Sequence, residues 1–233
     1  MNIDKITKTA RGTVQCESSN LNLLKANDYV AGIIRQTMKE TRTLLINVTS
    51  SAGSGKTSLL EKTAERLKNE ITMAVMVGDL ETERDAERIR KTGIQALQIV
   101  TGSICHLEAQ MVHQVLPNYN LKEIDLLFIE NVGNLVCPAS FDLGEDFRVT
   151  LLATTEGDDK PKKYPKMFFT SDLMLISKSD LLPYLPFSVD AVIKDAQEVN
   201  HELEAILIST FKDEGMDEWC EWLLKKIATK KQQ

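Results

Sequence analysis

The stretch Thr49-Ser50-Ser51-Ala52-Gly53-Ser54-Gly55-Lys56-Thr57-Ser58 decides how the rest of the chain is read. An apolar run, Leu44-Leu45-Ile46-Asn47-Val48, leads into it, and an amphipathic run through Leu59, Leu60, Thr63, Ala64 and Leu67 leads out. Strand, glycine-rich turn and helix, in that order, are the context a phosphate-binding loop requires. The glycines let the backbone wrap closely round a phosphate with its N–H groups turned inward. The new helix adds the positive end of its dipole at the same point. Gly53, Ser54, Gly55, Lys56, Thr57 and Ser58 are therefore expected to cradle the phosphates, with the Lys56 ammonium on the β- and γ-phosphates and the Thr57 hydroxyl on Mg²⁺. Ser50 stands where the strict pattern G-x-x-x-x-G-K-[ST] has its first glycine. An ordinary Gly/Ser-rich turn before a helix is the alternative, but Gly-x-Gly-Lys-Thr between strand and helix has few other uses. The chain is read as binding a nucleoside triphosphate.

Further strands and helices alternate around this loop. Residues 1–20 are polar and without period, and read as a loose arm. From Leu21 the spacing of Leu24, Ala31, Ile34 and Met38 predicts a helix docked on the domain, with Asn20 as its cap. Strands are predicted over Thr43–Val48, Ile71–Val77, Ala96–Val100, Asp125–Ile129, Arg148–Ala153, Leu173–Ile176 and Ala205–Ile208. Between them come helices from the phosphate loop to about Asn69, over Glu83–Lys91, and over Ile104–Leu116, halted by Pro117. Trp219, Trp222 and Leu223 lie on a closing helix that begins near Gly215. This alternation implies an α/β fold of three layers, a mainly parallel sheet covered by helices on both faces, in one P-loop domain over residues 21–233. Ligands of such sheets sit at the carboxyl ends of the strands.

Composition narrows the class. The 233 residues, 42% of them hydrophobic, suit one domain with a sizeable core. A net charge of −6, from 28 basic and 34 acidic residues, creates no field for nucleic acid. The start, Met1-Asn2-Ile3-Asp4-Lys5, has no apolar signal-peptide core, and no apolar run approaches the roughly eighteen residues of a membrane span. A cytoplasmic protein without a membrane partner is expected. In that compartment Cys16, Cys105, Cys137 and Cys220 argue against a disulfide framework and for metal ligation, redox chemistry or core packing.

Four clusters beyond the loop carry chemistry, each after a predicted strand. Asp79 would hold Mg²⁺ or orient the attacking water, or else cap the next turn. Glu130-x-x-Gly133 has the form of a metal-binding strand end followed by a switch, the Gly133 N–H sensing the γ-phosphate. Lys56, Asp79 and Glu130 are thus the candidate catalytic residues, with Thr57, Asp79 and Glu130 on Mg²⁺. In Ser177-Lys178-Ser179-Asp180 the aspartate would accept from guanine N1–H and N2–H while the Lys178 stem covers the base. Adenine lacks that pair of donors and would leave a buried carboxylate unpaired. Ser177 replaces the asparagine usual in this GTPase pattern, and a polar strand end with a capping aspartate is the other reading. Cys105-His106 and Cys137 offer two thiolates and an imidazole to Zn²⁺ or Ni²⁺. Three ligands from one chain are incomplete, which suggests a site shared by two chains or one built to let go; two core cysteines and a surface histidine are the alternative. The string TEGDDKPKKYP over residues 155–165 reads as a solvated charged loop; the alternative is that Lys160 or its neighbours reach a phosphate or carboxylate on another chain.

These motifs in this order resemble one family, the hydrogenase nickel-insertion GTPase HypB of the SIMIBI class. The resemblance rests on SSAGSGKTSLL (50–60), GDLETERDAERI (78–89), TGSICHLEA (101–109), FIENVGNLVCPASFDLGE (128–145), TEGDDKPKKYP (155–165), SKSDLLPYL (177–185) and GMDEWCEWL (215–223). The urease-maturation relative has Cys-Pro-His as its metal motif, which is absent here. The resemblance implies GTP and Mg²⁺ on Gly53, Gly55, Lys56, Thr57, Asp79 and Glu130, with guanine read by Asp180. It further implies a Ni²⁺/Zn²⁺ site of Cys105, His106 and Cys137 at the interface of a GTP-promoted homodimer. A companion nickel-chaperone protein and a hydrogenase large-subunit precursor are the implied partners, and hydrolysis coupled to nickel delivery the implied function. Other classes in view are a small-molecule kinase and a nucleotide switch without metal delivery. The arm, with a lone Cys16 and no histidine-rich stretch, is expected to store no nickel.

Overall fold

In the computed structural model, residues 7–8, 14–15, 18–81 and 83–232 are described, with side chains from residue 22 onward. Most of the arm expected over residues 1–20, including Cys16 and the reading that it stores no nickel, lies outside the described residues. Thr7–Lys8 (β1) and Val14–Gln15 (β2) form a short antiparallel pair. Helix α1 (Ser18–Thr41) follows, and Asn20 lies inside its first turn rather than capping it.

Seven strands then build one sheet: β3 (Leu44–Ser50), β4 (Met73–Asp79), β5 (Gln95–Val100), β6 (Leu126–Glu130), β7 (Phe147–Ala153), β8 (Leu173–Ser177) and β9 (Glu204–Ile208). The order is β5-β4-β6-β3-β7-β8-β9, and every pairing is parallel. Strand β3 is buried along its whole length, as its unbroken apolar run demands of a strand covered on both faces. Side chains alternate between those faces. Leu44, Ile46 and Val48 pack under α2 (Lys56–Leu67) and α8 (Met216–Lys231), while Leu45 packs under α1 beside Ile34 and Met38. Met174 and Ile176 meet α6 (Pro165–Phe169) and α7 (Val189–Val199) through Phe168, Val192 and Ala196. Trp219 is fully buried, and its indole N–H donates to Thr63 Oγ1 at 2.9 Å, tying α8 to the helix of the phosphate loop.

Two further expectations are corrected. The helix predicted over Ile104–Leu116 is only Ala109–Val115 (α4), after α3 (Arg84–Arg90), and it runs into a 3-10 turn at Leu116–Asn118. Cys105-His106 therefore does not open a helix but lies in an irregular loop. The Ile104 carbonyl accepts from Thr101 Oγ1 at 2.7 Å and the Cys105 carbonyl from Asn134 Nδ2 at 3.3 Å. Side-chain donors thus take the acceptors that a helix would need for its own amides. The charged segment read as a solvated loop is instead a 3-10 turn at Thr154–Glu156, a short helix α5 (Lys160–Lys163) and then α6. Pro161 and Pro165 sit in the first turns of α5 and α6, where a missing N–H costs nothing.

Candidate functional site

The phosphate loop springs from the carboxyl end of β3, where the chain has crossed to opposite sides of the sheet for β4 and β7. Gly53 and Gly55 have φ of +75° and +100°, the left-handed region that glycine enters without strain. The Lys56 ammonium is buried and donates to Ser50 Oγ at 2.8 Å, so the serine in the place of the first glycine folds inward as a partner for the lysine. Parallel pairing sets Glu130 opposite Val48 and brings its carboxylate under the loop. Thr57 Oγ1 donates to Glu130 Oε1 at 2.7 Å, while Glu130 Oε2, buried, has no hydrogen-bond partner among the described residues. Burial pushes the Glu130 carboxyl up to about 7, against the opposing pull of Lys56 and Thr57, and burial lowers the Lys56 ammonium.

A cavity of about 340 Å³ opens here, bounded by the loop, Asp79, Asp85, Arg88, Glu130 and Gly133. Asp79 ends β4 with its Oδ1 accepting from the Leu80 N–H at 2.6 Å. Thr57, Asp79 and the unpartnered oxygen of Glu130 form a set of hard oxygen donors, which fits Mg²⁺. Gly133 lies so near the loop that a Cβ on it would stand 2.7 Å from the Ala52 Cα. Asp85 and Arg88 escaped the sequence reading. Arg88 donates to Ser58 Oγ at 3.0 Å and pairs with Glu61, contacts between helices that a lone charged string does not reveal. Ser54, besides its backbone role, donates to Glu156 Oε1 at 2.5 Å.

A second cavity, also about 340 Å³, adjoins the loop and is lined in part by Ser177, Lys178, Asp180 and Phe211. The Ser177 hydroxyl donates to the Ser54 carbonyl at 2.7 Å, binding this motif to the phosphate loop. Lys178 holds φ of 60°, a costly conformation for a residue with a Cβ, and its carbonyl accepts from Thr154 Oγ1 at 2.8 Å. Asp180 is oriented by Ser209, whose Oγ donates to its Oδ1 at 2.6 Å. Ser209 and Phe211 come from the segment after β9 and carried no motif in the sequence.

Cys105, His106 and Cys137 meet although thirty residues divide them: their ligand atoms all lie within 4.8 Å of one another. The two sulfurs are 3.0 Å apart. His106 stacks on Phe141 with centroids 3.9 Å apart, and its Nε2 lies 3.7 Å from Glu108 Oε1. Among the described residues neither ring nitrogen has a hydrogen-bond partner. Burial lowers the imidazole below its ordinary value, which keeps a lone pair free for a metal. The Cys137 thiol is pushed up by Cys105 and by burial, with Asn134 opposing. Two half-exposed thiols in contact beside an imidazole without a hydrogen-bond partner among the described residues fit a borderline divalent metal that displaces the thiol protons. Cys220, by contrast, belongs to the core under α8.

The two cavities meet at one glycine-rich loop, with the Lys56 ammonium and the Glu130 carboxyl on one side and the Asp180 carboxylate on the other. A parallel sheet with that junction at its central strand defines a P-loop nucleoside triphosphatase. Residues 44–207 match the family described as CobW/HypB/UreG, nucleotide-binding domain. The hydrogenase maturation factor HypB of Escherichia coli K12 is 52% identical over 203 residues, 87% of this chain and 70% of that protein. Its counterpart from Azotobacter vinelandii is 49% identical over 209 residues, 90% of this chain and 69% of that one. The solved structure of Helicobacter pylori HypB in complex with nickel superposes with a TM-score of 0.83 at 39% identity, covering 88% of this chain and 96% of that one. Archaeoglobus fulgidus HypB gives 0.81 at 38%, covering 88% and 100%. The signal recognition particle receptor FtsY of Elizabethkingia anophelis, at 11% identity and a TM-score of 0.54, shares the fold alone. The chain belongs to the HypB family of GTPases.

Proposed function

We propose that this protein hydrolyses GTP and delivers nickel to a hydrogenase precursor during its maturation. The observation that carries the reading is the path from nucleotide to metal: Gly133 lies against the phosphate loop, and Cys137, four residues on, has its sulfur 3.0 Å from that of Cys105. Gly53, Ser54, Gly55, Lys56, Thr57 and Ser58 hold the phosphates. The buried Lys56 leaves Ser50 for the β- and γ-oxygens. Thr57, Asp79 and Glu130 would hold Mg²⁺, which would neutralise charge developing on the phosphates. Asp180 accepts from the guanine edge while the Lys178 stem covers the base, and Ser209 keeps the carboxylate aimed. The Gly133 N–H answers to the γ-phosphate, so hydrolysis releases the segment that carries Cys137. Nickel is the cargo, taken by the Cys105 and Cys137 thiolates and the neutral His106.

Three ligands do not complete a four-coordinate site, which supports a homodimer joined at this face in the GTP state; Val136, 59% exposed beside Cys137, is an apolar contact for such a partner. The hydrogenase large-subunit precursor and a companion nickel-chaperone protein are the partners of the cycle. Thiols persist unpaired in a reducing compartment, which supports a cytoplasmic reaction. No described helix is long and apolar enough to cross a membrane. The test is nickel binding together with particle mass, measured with GDP and with a non-hydrolysable GTP analogue. One nickel per two chains, with dimers favoured by the analogue, supports the shared delivery site. Nucleotide binding without any effect on nickel or mass refutes it, as does an unchanged nucleotide dependence of nickel affinity in Cys137→Ala.

A further inference from the structure

The stretch between the sensing glycine and Cys137 does more than carry one ligand. Two asparagines, one on either side of that glycine, reach across to the loop that bears the other two. Asn134 Nδ2 donates to the Cys105 carbonyl at 3.3 Å. Asn134 Oδ1 meanwhile accepts from the Val136 N–H at 2.9 Å, which fixes the side chain to its own turn. Asn131, 1% exposed, turns its Oδ1 to the N–H of Leu107 at 3.3 Å, next to His106. Its Nδ2 donates to Asn47 of the central strand at 3.2 Å. Both asparagines flank Gly133, whose backbone rests on Ala52 of the phosphate loop.

We infer that Asn134 is the strut through which the nucleotide-sensing segment positions Cys105 and the neighbouring His106, while Asn131 ties the same segment to Leu107 and to β3. This rests on the proposed role of Gly133 in reading the γ-phosphate and adds the route by which that reading reaches the second arm of the metal site. The Cys105 loop is not a fixed base against which Cys137 moves. It has no helical bonds of its own to hold the Cys105 carbonyl, and the asparagine amide takes their place. A shift of the segment toward the phosphate loop drags or breaks that bond and changes the spacing of the sulfurs. Asn134 touches neither nucleotide nor, through any ligating atom, the metal; it is a positioning residue.

The experiment compares Asn134→Ala and Asn134→Asp with the unaltered protein. Nickel affinity is measured by competition with a chromophoric chelator, with GDP and with a non-hydrolysable GTP analogue, and the thiolate-to-nickel absorption band is followed in each state. Aspartate keeps the acceptor for Val136 but loses the donor to Cys105, and it stands in should the alanine variant not fold. The expected result is that both variants still bind nickel and bind GTP as the unaltered protein does, while the affinity ratio between nucleotide states shrinks by about 2- to 12-fold, the worth of one neutral hydrogen bond. Variants that keep the full ratio overturn the strut. So does a ratio lost in Asn134→Ala but retained in Asn134→Asp, since the local turn would then suffice. An unaltered protein with no ratio at all refutes the underlying coupling between nucleotide and nickel, and the strut with it.

Discussion

Replacing Gly133 by alanine tests the nucleotide switch at its narrowest point. The new Cβ would stand 2.7 Å from the Ala52 Cα, 2.9 Å from its N and 3.0 Å from its Cβ. Ordinary contact begins at 3.4 Å, so the two backbone segments must part by about 0.7 Å (3.4 − 2.7). None of the three atoms is a flexible side-chain tip, and both segments are anchored, the loop by Ser177 and the Gly133 segment by Asn131. An N–H bonded to a γ-phosphate oxygen at about 2.9 Å would open to about 3.6 Å, beyond hydrogen-bond range. A hydrogen bond to a charged acceptor contributes about 1.5–3 kcal/mol, equivalent to about 10- to 150-fold in affinity. Gly133→Ala should therefore reduce the preference for a GTP analogue over GDP by that factor, with a far smaller change for GDP, whose phosphates lie deeper in the loop. Hydrolysis should fall as well. Titration calorimetry with both nucleotides reads the ratio directly. A variant that retains the unaltered preference would refute the assignment of Gly133 as the sensor, since the clash cannot be relieved without moving it.

Asp180→Asn should weaken GTP binding by about 100-fold or more, because an amide N–H then faces the guanine donors and a charge-assisted pair is lost; equal GTP affinity in the variant would show that the base lies elsewhere. Glu130 gives a pH signature. Its folded value of about 7 exceeds the ordinary 4.5, so the native protein without metal holds a proton that the unfolded chain has released, and stability falls as pH rises from about 4.5 through 7. At about 1.4 kcal/mol per pH unit the loss is at most about 3 kcal/mol. Glu130→Gln should remove that slope in urea denaturation at several pH values, and equal slopes in both proteins would contradict it. Thr63→Val leaves the buried Trp219 indole N–H without its acceptor and should cost about 1–3 kcal/mol of stability while leaving nucleotide affinity intact. A melting temperature equal to that of the unaltered protein would refute the value given to this contact.

The phosphate loop and the alternation of strands and helices were legible from the chain because both are local. Two glycines at fixed offsets from a lysine specify backbone geometry directly, and an apolar run of strand length declares burial on both faces. Glu130, Asp180 and the Cys105-His106 pair could be singled out because each lies at or beyond the end of a strand, and a parallel sheet gathers such positions at one end. What escaped were contacts between segments far apart in the chain. The helix read through Cys105 was wrong because its carbonyls are claimed by Thr101 and by Asn134, a residue on another element. The charged segment after β7 read as a loop because charge reports solvent, not backbone pairing. Ser209 on Asp180, Arg88 at the phosphate cavity and Phe141 on His106 carry no spacing signal, since each is chosen by the neighbour that folding supplies. Ser177, an apparent defect in the base motif, proved to be a tie to the Ser54 carbonyl. The sequence alone determined the class of fold and the phosphate chemistry, which depend on local backbone geometry and residue type. Only the tertiary structure decided that the Gly133 segment and the Cys105 loop are joined, because that junction is made by side chains from segments that the chain itself holds apart.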